Sequence, residues 1–372
     1  MARFSDLRIL MTADAVGGVW TYATALASAF AARGADVHLV IQGPAPTDAQ
    51  RSMVSQTAVR LVESPLALEW ADPASESMEA ARHFYAALAA RLRPDIVHLN
   101  SFREATFDWH CPVLVAAHSC VNSWGIACED TAWLSDQRWR SYTRHVAAGL
   151  DQATAWVCPT YAFRDMVLEL YQPRAPGFVV WNGSPRQADG NCRKEPMILA
   201  AGRMWDAAKN LSALERAAAG LQWPVLVAGS TLDIASDPAI RQLGVVSHAE
   251  LSQLMQRAAI FASPARYEPF GLSVLEAAAA GCALVLADIP TFRELWNGAA
   301  LFVDPTDAHA LHRALADLCA DMAQCAQLQD AAHTRSRRYA LRRMIDSYVA
   351  LYQSLLAPDT RPLAARGIEV FA

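Results

Sequence analysis

Apolar residues fall in short runs separated by longer amphipathic stretches, and the alternation begins at once. Residues 7–11 read as a short buried strand, Asp14-Ala15-Val16-Gly17-Gly18 as a turn, residues 20–33 as a helix stopped by Gly34, and residues 35–42 as a second strand. This is one βαβ unit, and a chain that continues in this way builds a parallel sheet flanked by helices. It does continue, with a helix over 78–92, strands over 95–99, 112–117 and 155–158, and a helix through Leu170. Between 171 and 196 the texture changes: Pro173, Pro176, Gly177, Asn182, Gly183, Pro185, Gly190 and Pro196 gather among polar residues, as they do in connectors. The alternation then restarts, with strands over 197–201, 225–228, 260–262, 283–287 and 300–303 and helices over 210–220, 249–256 and up to Gly281. A last long helix over 341–356 lies beyond the second set of strands, placed to cross back onto the first domain, and 357–372 reads as a tail. The expected fold is therefore α/β, with two tandem Rossmann-like, doubly wound domains, residues 1–175 and 176–340, a cleft between them, and a C-terminal segment 341–372.

Composition narrows the function. A chain of 372 residues exceeds what one core usually carries, and 53% apolar against 19% charged residues excludes a disordered chain. With 32 basic and 37 acidic residues the net charge is −5, so no overall positive field gathers phosphate backbone and nucleic acid is excluded as a partner. The eight cysteines show no Cys-x-x-Cys spacing and read as thiols of a reducing compartment. The N-terminus lacks the pattern of a signal peptide and no run reaches eighteen apolar residues, so the expected location is cytoplasmic. Thirty of the 32 basic residues are Arg, which makes Lys194 and Lys209 stand out.

Ligands of open parallel sheets bind beyond the carboxyl ends of strands, where glycine turns open helices whose free N–H groups favour anions. Three turns fit. Gly17-Gly18 follows the first strand but lacks the dinucleotide spacing, and the second strand ends Val40-Ile41-Gln42-Gly43 without an acidic residue for a ribose, which disfavours a nicotinamide site. A turn that needs glycine for backbone reasons is the competing explanation. Gly202-Arg203-Met204-Trp205-Asp206-Ala207-Ala208-Lys209-Asn210 places two cations around a helix start, as a diphosphate requires, or as capped surface carboxylates would. In Arg266-Tyr267-Glu268-Pro269-Phe270-Gly271-Leu272-Ser273-Val274-Leu275-Glu276, the Phe270-Gly271-Leu272 backbone stands at a helix start with a carboxylate on either side. Such a cradle suits a ligand with hydroxyls flanking a phosphate pair, that is, a nucleotide sugar.

These residues resemble a known family. Glu268 to Glu276 is similar to the Glu-x7-Glu element of retaining glycosyltransferases of family 4, the group 1 glycosyl transferases, which have the two-domain GT-B fold. Gly202-Arg203 with Lys209-Asn210 resembles that family's diphosphate-binding Arg and Lys, although their separation of six is one more than in many members. Gly17-Gly18-Val19-Trp20-Thr21-Tyr22 resembles its N-terminal glycine loop, and His118, after the strand over 112–117, resembles its histidine on the acceptor side. The resemblance extends over nearly the whole chain. It implies that Glu276 serves the ribose and Glu268 the transferred sugar, that Arg203 and Lys209 serve the diphosphate, and that attack occurs on the face the phosphate leaves, with His118 as a positioning group. No Asp-x-Asp occurs, and the implied enzyme uses cations and helix ends in place of a metal. It needs no cofactor beyond a nucleoside diphosphate sugar as co-substrate.

The expected function is thus a hexosyltransferase acting with retention on a saccharide, lipid-linked or small-molecule acceptor. A sugar-nucleotide 2-epimerase of the same fold and a catalytically silent nucleotide- or glycan-binding partner are the alternatives. His118 as a buried structural residue remains a rival assignment. The tryptophans from Trp109 through Trp124, Trp133 and Trp139 are either acceptor surface or core. The run Arg335, Arg337, Arg338, Arg342 and Arg343 is either a solvated or carboxylate-paired helix face or a contact with an acidic glycan or with anionic lipid, the latter peripheral at the inner membrane.

Overall fold

The structure, a computed structural model, describes residues 4–184, 193–230 and 239–357. Pro185, Gly190 and Cys192 and nearly all of the expected tail lie outside the described residues. The chain divides into two units, residues 1–181 with 342–372 and residues 182–341.

The first unit follows the alternation read from the sequence and adds elements to it: β1 (Arg8–Asp14), α1 (Gly18–Ala31), β2 (Asp36–Gln42), α2 (Asp48–Ser55), β3 (Arg60–Glu63), α3 (Met78–Leu92), β4 (Ile96–Leu99), β5 (Val113–Ala116), α4 (Val121–Ala127), α5 (Gln137–Gln152), β6 (Ala155–Cys158), α6 (Tyr161–Tyr171) and β7 (Gly177–Val179). Of these, α2, β3, α4 and α5 are additions to the sequence reading. These strands form one sheet in the order β3-β2-β1-β4-β5-β6-β7. All of its pairings are parallel, so both faces are covered and the central strands are mostly apolar; β4, β5 and β6 are buried along their whole length, including His98 of β4. β7 falls in the stretch read as connector, since three residues beginning with Gly177 carry no strand signal. Gly177 is there because a Cβ would lie 2.1 Å from the Trp156 ring on the neighbouring strand.

The second unit repeats the plan with β8 (Glu195–Ala201), α7 (Leu211–Ala218), β9 (Val225–Ala228), β10 (Ile240–Gly244), α8 (His248–Arg257), β11 (Ala258–Ser263), α9 (Leu272–Ala279), β12 (Ala283–Ala287), α10 (Pro290–Trp296), β13 (Leu301–Val303), α11 (Ala308–Ala320) and α12 (Met322–Ser336). Its sheet runs β10-β9-β8-β11-β12-β13, again parallel. Ile198, Val227, Ile260, Val285 and Leu315 form the centre of its core. In both sheets the strand order reverses beside the first strand, between β1 and β4 and between β8 and β11, and ligands of doubly wound sheets bind at that point.

The last helix, α13 (Leu341–Leu356), belongs to the first unit from Arg342 onward. Its apolar face supplies the reason: Leu351 and Tyr352 are buried, and the Tyr352 ring packs 5.0 Å from Phe30. Its hydroxyl shares a 2.7 Å hydrogen bond with Nδ1 of the buried His98. The return of the final helix is thus written in its hydrophobic stripe.

Candidate functional site

In the second unit, the loops after β8 and β11 meet where the strand order reverses. Gly202 leaves β8 close to Gly229, whose own Cβ would stand 1.7 Å from the Gly202 carbonyl oxygen; glycine is required there by both contact and a φ of +134°. Asp206 caps the short turn Ala207–Lys209, accepting the Ala208 N–H at 2.9 Å. Asn210 adopts the left-handed conformation, and its buried amide donates to the carbonyls of Pro264 and Pro305. The Arg266 N–H donates to the Ala208 carbonyl at 2.8 Å. These bonds fasten the lysine turn onto the Arg266-to-Glu268 loop.

The outcome is a direct hydrogen-bonded ion pair between Lys209 Nζ and Glu268 Oε2, with the two side chains 19% and 16% exposed. The sequence had put these residues in separate motifs; the structure brings them together. Thr291 Oγ1 steadies the loop by donating to the Glu268 carbonyl at 2.7 Å. Gly271 follows at φ +86° as N-cap of α9, with no side chain capping the helix, so the N–H groups of its first turn are left for other acceptors. A Cβ on Gly271 would lie 3.0 Å from Phe292 and 3.3 Å from Glu268 Cγ. Phe270 turns its side chain into the core against Tyr339, while Leu272 opens the helix. Glu276, one turn in, lies 3.5 Å from His248 Nε2 at the start of α8. Arg203 is exposed, 3.7 Å from Asp206 and stacked over Trp205. Sequence reasoning missed Thr291 and His248, since each acts on a residue of another loop or helix and carries no motif of its own, and it gave no role to Asp206 although that residue stands inside the lysine motif.

In the first unit, Gly17 takes φ +71° as N-cap of α1, so the turn needs glycine for its backbone, and Gly18 is the first helical residue, again without a side-chain cap. His118 follows β5, half-buried, with Nε2 2.6 Å from Asn100 Oδ1 and its ring 4.5 Å from Tyr22. Burial pushes its pKa down to about 4, and that of His98 to about 3, so both imidazoles are neutral near pH 7. Asn100, missed at first, is marked in retrospect as the polar residue directly after an apolar strand.

Other expectations resolve into structure. Lys194 donates to the carbonyls of Met255 and Ala280, at the C-terminal ends of α8 and α9, and is a structural cap. Trp124, Trp133, Trp139 and Tyr142 form a ladder of rings packed on one another, and Trp109 packs on Tyr85. Arg335 donates to the carbonyls of Leu295 and Asn297, and Arg342 pairs with Asp346. Among the described residues seven cysteines are free, and burial pushes the thiols of Cys111, Cys282 and Cys319 up to about 11. Among the described residues no helix is long and apolar enough to cross a membrane.

Comparison with known proteins bears on the fold and the family. Residues 16–185 match the model described as Glycosyltransferase Family 4, and residues 195–321 the one described as Glycosyl transferases group 1. A glycogen synthase of Mycobacterium tuberculosis is 25% identical over 377 aligned positions, covering 88% of this chain and 90% of that protein. Among solved structures, sucrose-phosphate synthase from Thermosynechococcus elongatus superposes with a TM-score of 0.76 at 19% identity, covering 95% of this chain and all of the other. Anabaena HepE, solved with UDP-glucose, gives 0.72 at 16% identity, covering 94% of this chain and all of the other. Two parallel doubly wound sheets, the arrangement around Lys209 and Glu268, and family matches to both halves lead to one conclusion: the chain belongs to the group 1 glycosyltransferases of family 4 and has the GT-B fold.

Proposed function

We propose that this glycosyltransferase moves a hexosyl group from a nucleoside diphosphate sugar to an acceptor hydroxyl, with retention at the anomeric carbon and without a metal. The observation that carries the reading is the contact between Lys209 and Glu268 beside the uncapped start of α9, with Arg203 and Glu276 on the same set of loops and elements. An ammonium already balanced by a carboxylate can pass to a diphosphate while the carboxylate turns to sugar hydroxyls. In this reading Arg203, Lys209 and the backbone of Phe270, Gly271 and Leu272 hold the diphosphate, Glu276 the ribose, and Glu268 the sugar. Gly17 and Gly18 let the first unit's loop approach the donor, and His118 positions the reacting hydroxyls. The departing phosphate takes the acceptor's proton on the face from which it leaves, since the motifs place no third carboxylate as nucleophile. Acceptors are saccharides, lipid-linked sugars or small molecules, met in the cytoplasm, where the thiols stay reduced.

Incubation with labelled nucleotide sugars tests the reading, beginning with UDP-glucose, the compound named for the Anabaena structure. Diphosphate release that depends on an acceptor supports transfer. A new sugar-nucleotide isomer supports the 2-epimerase, and neither product supports a silent binding partner. The anomeric configuration of the product decides retention, and activity that survives a strong chelator supports metal independence.

A further inference from the structure

We infer that Asn100 is a positioning residue for His118: its amide fixes the imidazole as the Nε2–H tautomer and leaves Nδ1 to accept a hydrogen bond from a hydroxyl of the reacting sugars. The second half of this inference rests on the acceptor-side reading of His118 given above; the first half stands on the hydrogen bonds alone.

Those bonds allow one assignment. Asn100 Nδ2 lies in hydrogen-bonding contact with the carbonyl oxygen of the buried Thr12. A carbonyl only accepts, so the amide nitrogen must face it; the reversed amide would oppose two acceptors. The amide oxygen is therefore the atom 2.6 Å from His118 Nε2, and because that oxygen also only accepts, Nε2 must carry the hydrogen. The Asn100 N–H donates to Thr12 Oγ1 at 2.8 Å, which pins the backbone that carries the amide. Thr12 belongs to β1 and Asn100 directly follows β4, the two strands between which the order of the first sheet reverses. Tyr22 packs edge-on against the His118 ring, with its own hydroxyl held 3.2 Å from His98 Nε2. Burial keeps His118 neutral, so the nitrogen opposite Nε2–H is a lone pair, and among the described residues Nδ1 has no hydrogen-bond partner. Substrate hydroxyls donate as well as accept, and a fixed acceptor nitrogen selects one orientation of the bond.

The test is nitrogen-15 NMR of histidine-labelled full-length protein at pH 7, with the His118 signals assigned by their loss in His118→Gln. The wild type is expected to show Nε2 protonated and Nδ1 unprotonated, a measurement that needs no stable Asn100 variant. Asn100→Ala should give a tautomer mixture, and Asn100→Asp should raise the His118 pKa by about one unit or more, as an adjacent carboxylate does. In transfer assays Asn100→Ala should lower kcat about tenfold, the scale of one hydrogen bond, with donor KM little changed. Adding it to His118→Ala should cost nothing further, because both changes remove one interaction. A wild-type His118 protonated on Nδ1, an unchanged tautomer in Asn100→Ala, or additive losses in the double variant would overturn the assignment. A His118→Ala enzyme that transfers at the wild-type rate, with the tautomer as expected, overturns the role of His118 and not the hold of Asn100 upon it.

Discussion

On the proposed reading, replacing Glu268 by Gln should separate sugar recognition from nucleotide recognition. In the free enzyme its carboxylate holds the Lys209 ammonium, with both groups largely shielded from solvent. Two unit charges about 4 Å apart attract by about 4 kcal/mol at an effective dielectric of about 20. Desolvation and side-chain entropy offset most of that, leaving a net contribution of about 1 kcal/mol. A donor diphosphate must compete with Glu268 for the same ammonium, so Glu268→Gln should bind the free diphosphate as well as wild type, or up to about fivefold more tightly. Glu276→Gln, by contrast, should lose the charge-assisted hydrogen bonds to ribose hydroxyls that the proposed function assigns to it, each about 1.5–3 kcal/mol, and should bind the same diphosphate at least about tenfold more weakly. Transfer should fall in both variants, and in Glu268→Gln the loss should lie in kcat. Calorimetry decides the matter, using whichever of UDP, GDP or ADP most raises the thermal midpoint of the wild type. Equal losses of affinity in the two variants, or a tenfold loss in Glu268→Gln, would refute the division of labour.

Four further outcomes are expected. Arg203→Ala and Lys209→Ala should each lower kcat/KM by roughly 100-fold, the scale of one group stabilising charge on a leaving phosphate, and near wild-type turnover in both would remove them from the site. His118→Ala should slow transfer without abolishing it, and intact-protein mass spectrometry during turnover should find no glycosyl adduct; an adduct on any residue would establish double displacement. Stability should decline from pH 6.5 to 4.5, because the unfolded chain protonates His98 and His118 while the fold holds them neutral, each adding a slope of about 1.4 kcal/mol per pH unit. Glu69 opposes this decline: burial and the Glu104 charge raise it to about 7, so its contribution is full below its unfolded pKa and lost as pH rises through 7. Glu69→Gln should therefore steepen the fall in urea midpoint toward acid, and a flatter profile would contradict the assignment. Gly229→Ala should lower stability by more than about 3 kcal/mol in denaturant titrations, since its Cβ meets the Gly202 carbonyl in a left-handed backbone; a loss under 1 kcal/mol would show that the loop yields.

By itself the sequence determined the parallel sheets, because strands buried on both faces must be continuous apolar runs and each crossover helix must carry one apolar stripe. β6, β9, β12 and α13 lie where those runs end. It also marked the loops proposed to bear the chemistry, since glycines and charges stand there directly after strand ends. It did not reveal β3, β7 or β10, whose short, half-exposed strands depend on a neighbour's edge more than on their own residues. Tertiary structure alone decided the partners. Lys209 meets Glu268 across 59 residues because the reversal of strand order sets the loops after β8 and β11 side by side, and Asn100 meets His118 across 18 because β4 and β5 are neighbours in their sheet. It likewise made Lys194 a helix cap and Arg335 a clamp on carbonyls, roles invisible in a charge pattern because carbonyl acceptors are present at every position of a chain. Periodicity is a local property and survives in the sequence; hydrogen-bond partners are set by which strand ends lie adjacent, and only the folded sheet orders them.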